Sequence, residues 1–103
     1  MLQANNIQFG KLYGTIYDFP EVNDELPMHW HNEENVHITV VARGSFRAIG
    51  PNWERVVKAG DVIDWEPEQL HSFFSLEPNS RIVNIVKGTG TQGEVFVESN
   101  DVA

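Results

Sequence analysis

The sequence predicts a single all-β domain built as a barrel or as two packed sheets. Turn-forming residues recur about every eight residues, and the segments between them are rich in Val, Ile, Phe and Thr. No stretch of about ten residues shows the 3.6-residue apolar period of a helix. A length of 103 residues suits one domain, so we expect residues 1–103 to form a single unit.

Eight strands are predicted, and residues suited to turns separate them. The clearest turn sequences are Arg43-Gly44, Gly50-Pro51-Asn52, Ala59-Gly60-Asp61 and Glu77-Pro78-Asn79-Ser80. Strands without helices suit a closed or double-sheet barrel, because full pairing leaves few exposed edges. The predicted strands are Gln8–Tyr17, Val36–Ala42, Ser45–Ile49, Arg55–Lys58, Val62–Trp65, Ser72–Leu76, Arg81–Val86 and Glu94–Val97.

Two segments stand apart from this pattern. The stretch Asp18–Glu34 carries six carboxylates and no Lys or Arg. We interpret it as a solvated loop rather than a Ca²⁺ or charged-ligand site. The stretch Gly88–Gly93 has no Lys and no following helix, so it is interpreted as a hairpin loop rather than a phosphate cradle.

The composition excludes several classes of function. Seven Lys and Arg against fifteen Asp and Glu give a formal net charge of −8, which disfavours nucleic-acid and anionic-membrane partners. The absence of Cys excludes disulfides, thiol nucleophiles and Cys-type zinc sites. Residues 1–6 show no signal-peptide pattern, and no apolar run approaches the roughly 20 residues that span a bilayer. We therefore expect a cytoplasmic protein.

The four histidines, His29, His31, His37 and His71, are the residues most suited to chemistry. His29 and His31 are two apart, so on a strand both point to one side. A lone His-x-His pair is more often surface decoration than a ligand pair. In a small barrel, however, distant strands face each other and the four imidazoles could converge. Imidazole suits Zn²⁺, Fe²⁺, Ni²⁺ and Cu²⁺ and tolerates Mn²⁺.

The context of these histidines resembles the two sequence motifs of the cupin superfamily. His29-Trp30-His31 is followed by His37 and, after six residues, by Gly44, as in the first motif. Gly60–Pro67 leads to His71, and Asn84 lies in the next predicted strand, as in the second motif. The resemblance covers about residues 27–86 and includes every histidine of the chain.

The resemblance implies a fold, a site and an assembly. The fold would be the cupin double-stranded β-helix, a jelly-roll barrel. The site would be a divalent transition metal, Fe, Mn, Ni, Cu or Zn, held by His29, His31, His37 and His71. Small cupins often form homodimers by exchanging an edge strand, and Gln8–Tyr17 is the segment we nominate for that exchange.

Three departures from the motifs are visible. His37 occupies the position at which most metal-binding cupins have Glu. Five residues separate His31 from His37, so Glu33 or Glu34 could replace His37 as the ligand. Glu68 stands where the second motif usually has Gly. Four neutral imidazoles would leave the metal its full charge, which strengthens a Lewis acid and favours an anionic substrate such as an enolate or a 2-oxo acid.

Three residues are candidates for the substrate pocket. Phe73 shares strand parity with His71 and would form an apolar wall, with Phe46 as a weaker candidate. Arg47 could hold a substrate carboxylate with its bidentate fork, although Arg on a strand more often points to solvent. Three tryptophans could line a pocket, but large aromatic residues in a small barrel are usually core, and Trp30 is expected to face away from the metal: Trp30, Trp53 and Trp65.

Three functions remain open. The first is an enzyme, foremost a dioxygenase, in which the metal activates a small enolate- or carbonyl-type substrate. The second is a metal-dependent isomerase or lyase, which needs no O₂. The third is a non-catalytic cupin that binds a small ligand or serves as a structural subunit. The expected partner is a small-molecule substrate or ligand, and fold alone does not select among the three functions.

Overall fold

The computed structural model describes residues 1–9, 12–31, 36–66, 69–87 and 94–96. This part of the chain consists of strands and turns and contains no helix. It therefore holds no helix that could cross a bilayer. The strands are β1 Gln3–Phe9, β2 Leu12–Phe19, β3 Glu25–His31, β4 Val36–Arg43, β5 Ser45–Gly50, β6 Trp53–Lys58, β7 Val62–Trp65, β8 His71–Ser75, β9 Ser80–Lys87 and β10 Glu94–Phe96.

The strands form two five-stranded sheets that pack face to face. The first sheet has the order β1-β2-β9-β4-β7, and the second has the order β10-β3-β8-β5-β6. Every strand pair is antiparallel. This architecture confirms the predicted all-β class and the double-stranded β-helix.

Seven of the eight predicted strands match observed strands within two residues at each end, and two features were predicted wrongly. Gln8–Tyr17 is not one strand, because the chain there is divided between β1 and β2. It is not an edge either, since β2 lies between β1 and β9 and the edge strand is β1. The acidic stretch predicted as a loop contains β3, whose regular alternation is hidden by Pro27 and a bulge. The homodimer stays a prediction.

The register divides the barrel interior into two levels. At the first level, Leu26 lies opposite Phe73 in the second sheet, and Val41 lies opposite Ile82 in the first sheet. All four side chains are at most 1% exposed. This level is closed by packing alone. The buried hydrophobic cluster comprises Tyr17, Phe19, Leu26, Val41, Phe46, Ala48, Val57, Trp65, Phe73 and Ile82.

The second level is polar. His29 lies opposite His71 in the second sheet, and in the first sheet Thr39 lies opposite Asn84, two residues beyond His37. All five are at most 2% exposed. Burying so many polar side chains at one end of a small barrel is costly unless hydrogen bonds or a ligand compensate.

Gly44 forms the turn between β4 and β5, as predicted. Its φ of +80° lies in the left-handed region, which side chains rarely adopt. A Cβ at this position would also collide with the side chain of Ser80, whose hydroxyl donates to the Glu77 carbonyl at 2.8 Å. The turn therefore requires glycine for both reasons.

An ion pair fastens β2 to β9 on the outside of the first sheet. Asp18 accepts hydrogen bonds from Arg81 Nε at 2.7 Å and from Arg81 Nη2 at 3.1 Å, and Arg43 Nη2 lies 3.7 Å away. The hydrogen bond from Arg81 is the main cause that lowers the pKa of the Asp18 carboxyl, against an opposing effect of burial. The carboxyl is 20% exposed, so solvent screens the pair only in part.

We expect Asp18→Asn to lower the free energy of unfolding by about 1 kcal/mol at neutral pH. The pKa is lower in the folded chain, so the stabilisation is complete above the unfolded pKa of about 4 and is lost as pH falls through the folded pKa. Urea unfolding of both proteins at neutral pH and at about pH 3 measures this loss.

Glu54→Gln is the matched control. It breaks the Arg47–Glu54 pair, whose side chains are about half exposed, and should cost less than about 0.5 kcal/mol at either pH. A deficit of Asp18→Asn that is the same at both pH values would contradict the ion-pair explanation.

Candidate metal centre

His29 reaches the interior because β3 carries a bulge. Leu26 and His29 are three residues apart, so a regular strand would place them on opposite faces. The register shifts between them, and both side chains are buried. Pro27 lies within the bulge, where its missing N–H removes no ladder hydrogen bond. Its carbonyl accepts a 2.8 Å hydrogen bond from His29 Nδ1.

His71 begins β8 directly opposite His29. The two rings are 4.3 Å apart, centroid to centroid, at an angle of 65°. His71 Nδ1 donates to the Gln69 carbonyl at 2.8 Å, as His29 Nδ1 does to Pro27. A carbonyl only accepts, so the proton lies on Nδ1 of both rings and the Nε2 atom of the neutral ring carries the lone pair. Metal-ligating histidines are held in this way.

His37 brings a third imidazole from the opposite sheet. It lies on β4, is 2% exposed, and its ring is 6.0 Å from that of His71. Burial lowers the pKa of His29, and the hydrogen bond to Pro27 opposes this effect only in part. His29 is therefore held in the neutral form, which is the form that binds metal ions.

The remaining predicted ligands are only partly described. His31 is the last residue of β3 and pairs with Glu94, but its side chain lies outside the described part of the structure. Glu33, Glu34, Glu68 and the Gly88–Gly93 loop lie outside the described residues. Among the described His, Asp and Glu side chains, no group of three forms a metal cage by itself.

Trp65 holds the His71 ring in place by stacking on one of its faces. The two rings stack at 3.8 Å and are parallel to within 4°. Trp65 Nε1 donates to Thr39 Oγ1 at 2.8 Å, and Thr39 Oγ1 donates to Asn84 Oδ1 at 2.7 Å. Among the described residues, nothing accepts a hydrogen bond from the buried Asn84 Nδ2. This end of the interior therefore has a buried donor that suits a water or a ligand.

A pocket of about 240 Å³ opens beside Trp65, between the edge strands β6 and β7. We call it the tryptophan pocket. Trp65 contacts both the pocket and His71, and Gln69 lines the pocket while its carbonyl holds His71. The described lining residues are Ala48, Trp53, Arg55, Val57, Ile63, Asp64, Trp65 and Gln69. Trp53 and Trp65 were expected to be core more than pocket-lining, and both line this pocket.

Of the three predicted pocket residues, none lines the tryptophan pocket. Phe73 is fully buried, with its ring 6.2 Å from His71, and Phe46 packs against it at 6.0 Å. Both are core residues beneath the histidines. Arg47 faces outward and donates from Nε to Glu54 at 2.8 Å. The predicted role of Arg47 as a carboxylate anchor is therefore not supported, because strand alternation turns it away from the interior.

Arg55 is the pocket residue that sequence reasoning missed. In the β5–β6 hairpin, Arg55 lies opposite Ala48, which faces the core, whereas Arg47 lies opposite the exposed Val56. The turn Gly50-Pro51-Asn52 could have predicted this position. Its two-residue loop Pro51-Asn52 determines which residues of β5 and β6 lie opposite each other.

Comparison with known proteins rests on structure, since no family model and no curated protein matches the sequence. A conserved protein with a double-stranded β-helix domain from Klebsiella pneumoniae aligns with a TM-score of 0.77 at 19% identity, over 95% of this chain and 85% of that one. The chain has the cupin fold. KdgF from a Halomonas species aligns with a TM-score of 0.73 at 20% identity, over 85% of this chain and 79% of that one. Oxalate oxidase in complex with the substrate analogue glycolate aligns with a TM-score of 0.77 at 18% identity, over 93% of this chain and 55% of that one.

The donor types are ones that transition metals accept. His29 and His71 present Nε2 lone pairs from rings 4.3 Å apart, and His37 adds a buried imidazole from the other sheet. Imidazole nitrogen is a donor that Zn²⁺, Fe²⁺, Ni²⁺ and Cu²⁺ all accept. The backbone carbonyls on Nδ1 supply the outer hydrogen bonds that orient such ligands.

Proposed function

We propose that this chain binds one divalent transition-metal ion and uses it to activate a small enolate- or carbonyl-type substrate. The ligands would be His29, His37 and His71, with His31 as the fourth. The observation that carries the proposal is the matched pair of 2.8 Å hydrogen bonds from Nδ1 of His29 and His71 to backbone carbonyls, which directs both Nε2 lone pairs away from the backbone.

Each described residue has a defined part in this function. The three histidines hold the ion, and Trp65 keeps the His71 ring in place by stacking on it. Phe73 closes the interior beneath the site and excludes water. A bound divalent ion supplies Lewis-acid or redox chemistry to an oxygen atom of the substrate. Because the ligands are neutral, they leave the ion's charge available to attract an anion.

Dioxygen use is the first form of this activity that we propose. The cupin fold is shared with oxalate oxidase, which binds the small carboxylate glycolate as a substrate analogue, and this likeness supports a small oxygen-rich substrate by analogy only. A metal-dependent isomerase or lyase is the alternative. Turnover of a diketone and 2-oxo acid panel under nitrogen separates the two, because only the isomerase or lyase proceeds without O₂.

The tryptophan pocket supports the third function, a non-catalytic ligand-binding cupin. Its lining combines the indole rings of Trp53 and Trp65 with few polar groups, which is typical of small-molecule sites. Metal-dependent turnover of any member of the panel would favour an enzyme. Ligand binding without turnover would favour the binding module.

We expect the metal-free chain to bind about one equivalent of a divalent metal, and His71→Gln to weaken the binding by at least about a hundredfold. Losing one of a few nitrogen ligands removes a coordinate bond that no described neighbour replaces. Isothermal titration with Mn²⁺, Ni²⁺ and Zn²⁺ in turn, followed by elemental analysis of the dialysed protein, measures this effect.

Arg47→Gln is the control, because Arg47 lies on the outer face of the second sheet and its loss should leave metal affinity unchanged. Equal metal binding by wild type and by the double variant His29→Gln/His71→Gln would contradict the proposed site.

A further inference from the structure

Arg55 occupies an unusual position in the second sheet. Its register partner is Ala48, which is 1% exposed, so the backbone directs Arg55 toward the inner face. It lies on the edge strand β6, and its side chain is exposed where the barrel opens. An arginine in this position lines the mouth of the tryptophan pocket instead of pointing away from the barrel.

The other three arginines of the chain are used in ion pairs. Arg43 and Arg81 contact Asp18, and Arg47 contacts Glu54. Within the described part of the chain, no carboxylate forms an ion pair with Arg55. The guanidinium of Arg55 is therefore not neutralised by a described side chain.

Two carboxylates lie near Arg55, on β7 and in the turn before it. Asp64 on β7 also lines the pocket, but its register partner Ile38 places it on the outer face of the first sheet. Asp61 and Asp64 both line a neighbouring surface hollow that Arg55 shares, and the Asp61 carboxylate accepts a hydrogen bond from the Lys58 backbone at 2.9 Å. Neither carboxylate faces the interior between the two tryptophans.

We propose that Arg55 binds the carboxylate of a small organic anion whose apolar part lies against Trp53 and Trp65. The pocket adjoins the proposed metal centre through Trp65, but none of its described lining residues is a histidine, so the inference does not depend on a bound metal. A guanidinium donates two parallel N–H groups to a carboxylate, and an amide cannot accept them with charge assistance. The two indole rings, 5.9 Å apart and tilted by 33°, offer an apolar wall.

The net charge explains why a local cation is needed. A chain with a formal charge of −8 repels anions at long range, and a neutral pocket would not overcome that repulsion. Arg55 supplies a positive charge at the pocket mouth, where Asp64 is the one described carboxylate of the lining. Carboxylates that also have an apolar body are then selected over simple inorganic anions.

Isothermal titration with benzoate, and with its neutral isostere benzamide, tests the proposal. Benzoate should bind more tightly than benzamide, and Arg55→Gln should weaken benzoate binding by about tenfold or more. Arg55→Lys keeps the charge without the planar fork and should be intermediate. Arg47→Gln is the matched control, because it removes an outward arginine of the adjacent strand and should leave benzoate affinity unchanged.

The titrations are run on the chelated and on the metal-loaded chain, and the effect of Arg55 is measured in whichever form binds benzoate. Benzoate binding that Arg55→Gln leaves unchanged, equal binding of benzamide, or no benzoate binding in either form would overturn the inference. Arg55-dependent binding to a chain that takes up no metal would support Arg55 and refute the metal centre. Metal binding by a chain whose benzoate affinity is unchanged in Arg55→Gln would support the metal centre and refute the role of Arg55.

Discussion

Phe73→Ala should lower the free energy of unfolding by about 3–5 kcal/mol. The Phe73 side chain has no exposed surface, and it lies where both levels of the interior meet. Its ring is 6.0 Å from Phe46, 6.0 Å from Trp65 and 6.2 Å from His71. Removing it leaves a cavity that strands held by ladder hydrogen bonds on both sides cannot collapse to fill. Equilibrium unfolding in urea measures the loss.

Two further variants make this result specific. Val56→Ala removes apolar atoms from a side chain that is 64% exposed on the outer face of β6, and should change stability by less than about 0.5 kcal/mol. Phe73→Leu keeps most of the volume and should recover more than half of the loss. A loss below about 1 kcal/mol for Phe73→Ala would show that the two sheets do not close over this residue.

The strands were predictable where the apolar pattern was undisturbed. In β5 and β8, turn residues mark both ends and the runs are rich in Phe and Ala or Ser, so the bounds agree within one residue. β3 was hidden because its carboxylates, Pro27 and its bulge break the alternation by which a strand is recognised. β1 was missed because Gln3–Asn6 has a polar composition, and it forms a strand only because β2 offers it a paired edge.

The candidate site was predictable in its composition but not in its geometry. The spacing of the histidines along the sequence predicts that His29 and His71 belong to one site. The structure places these two residues opposite each other on β3 and β8. The tryptophan pocket could not be derived from sequence, because it lies between β6 and β7, which belong to different sheets. Which arginine lies on the inner face, Arg47 or Arg55, depends on the register of the β5–β6 hairpin. An interior position follows from a cross-strand register, which residue type alone does not determine.

Metal binding should raise the stability of the chain by about 4 kcal/mol when the free ion exceeds its dissociation constant a thousandfold. For a chain of this size, that corresponds to a rise in melting temperature of roughly 15 °C or more. The reason is that the folded barrel brings His29 and His71 together on paired strands, whereas the unfolded chain does not. Thermal unfolding followed by circular dichroism across a metal titration measures the shift.

The chelated chain should remain folded, because the apolar level of the interior is closed by packing that involves no metal. Leu26, Val41, Phe73 and Ile82 provide that closure, and each is at most 1% exposed. The double variant His29→Gln/His71→Gln should likewise fold, and its melting temperature should not respond to metal. Loss of cooperative unfolding on chelation would instead indicate a structural ion on which the fold depends. A folded chelated chain with a metal-dependent melting temperature fits an ion that is bound to a pre-formed barrel and therefore accessible for chemistry.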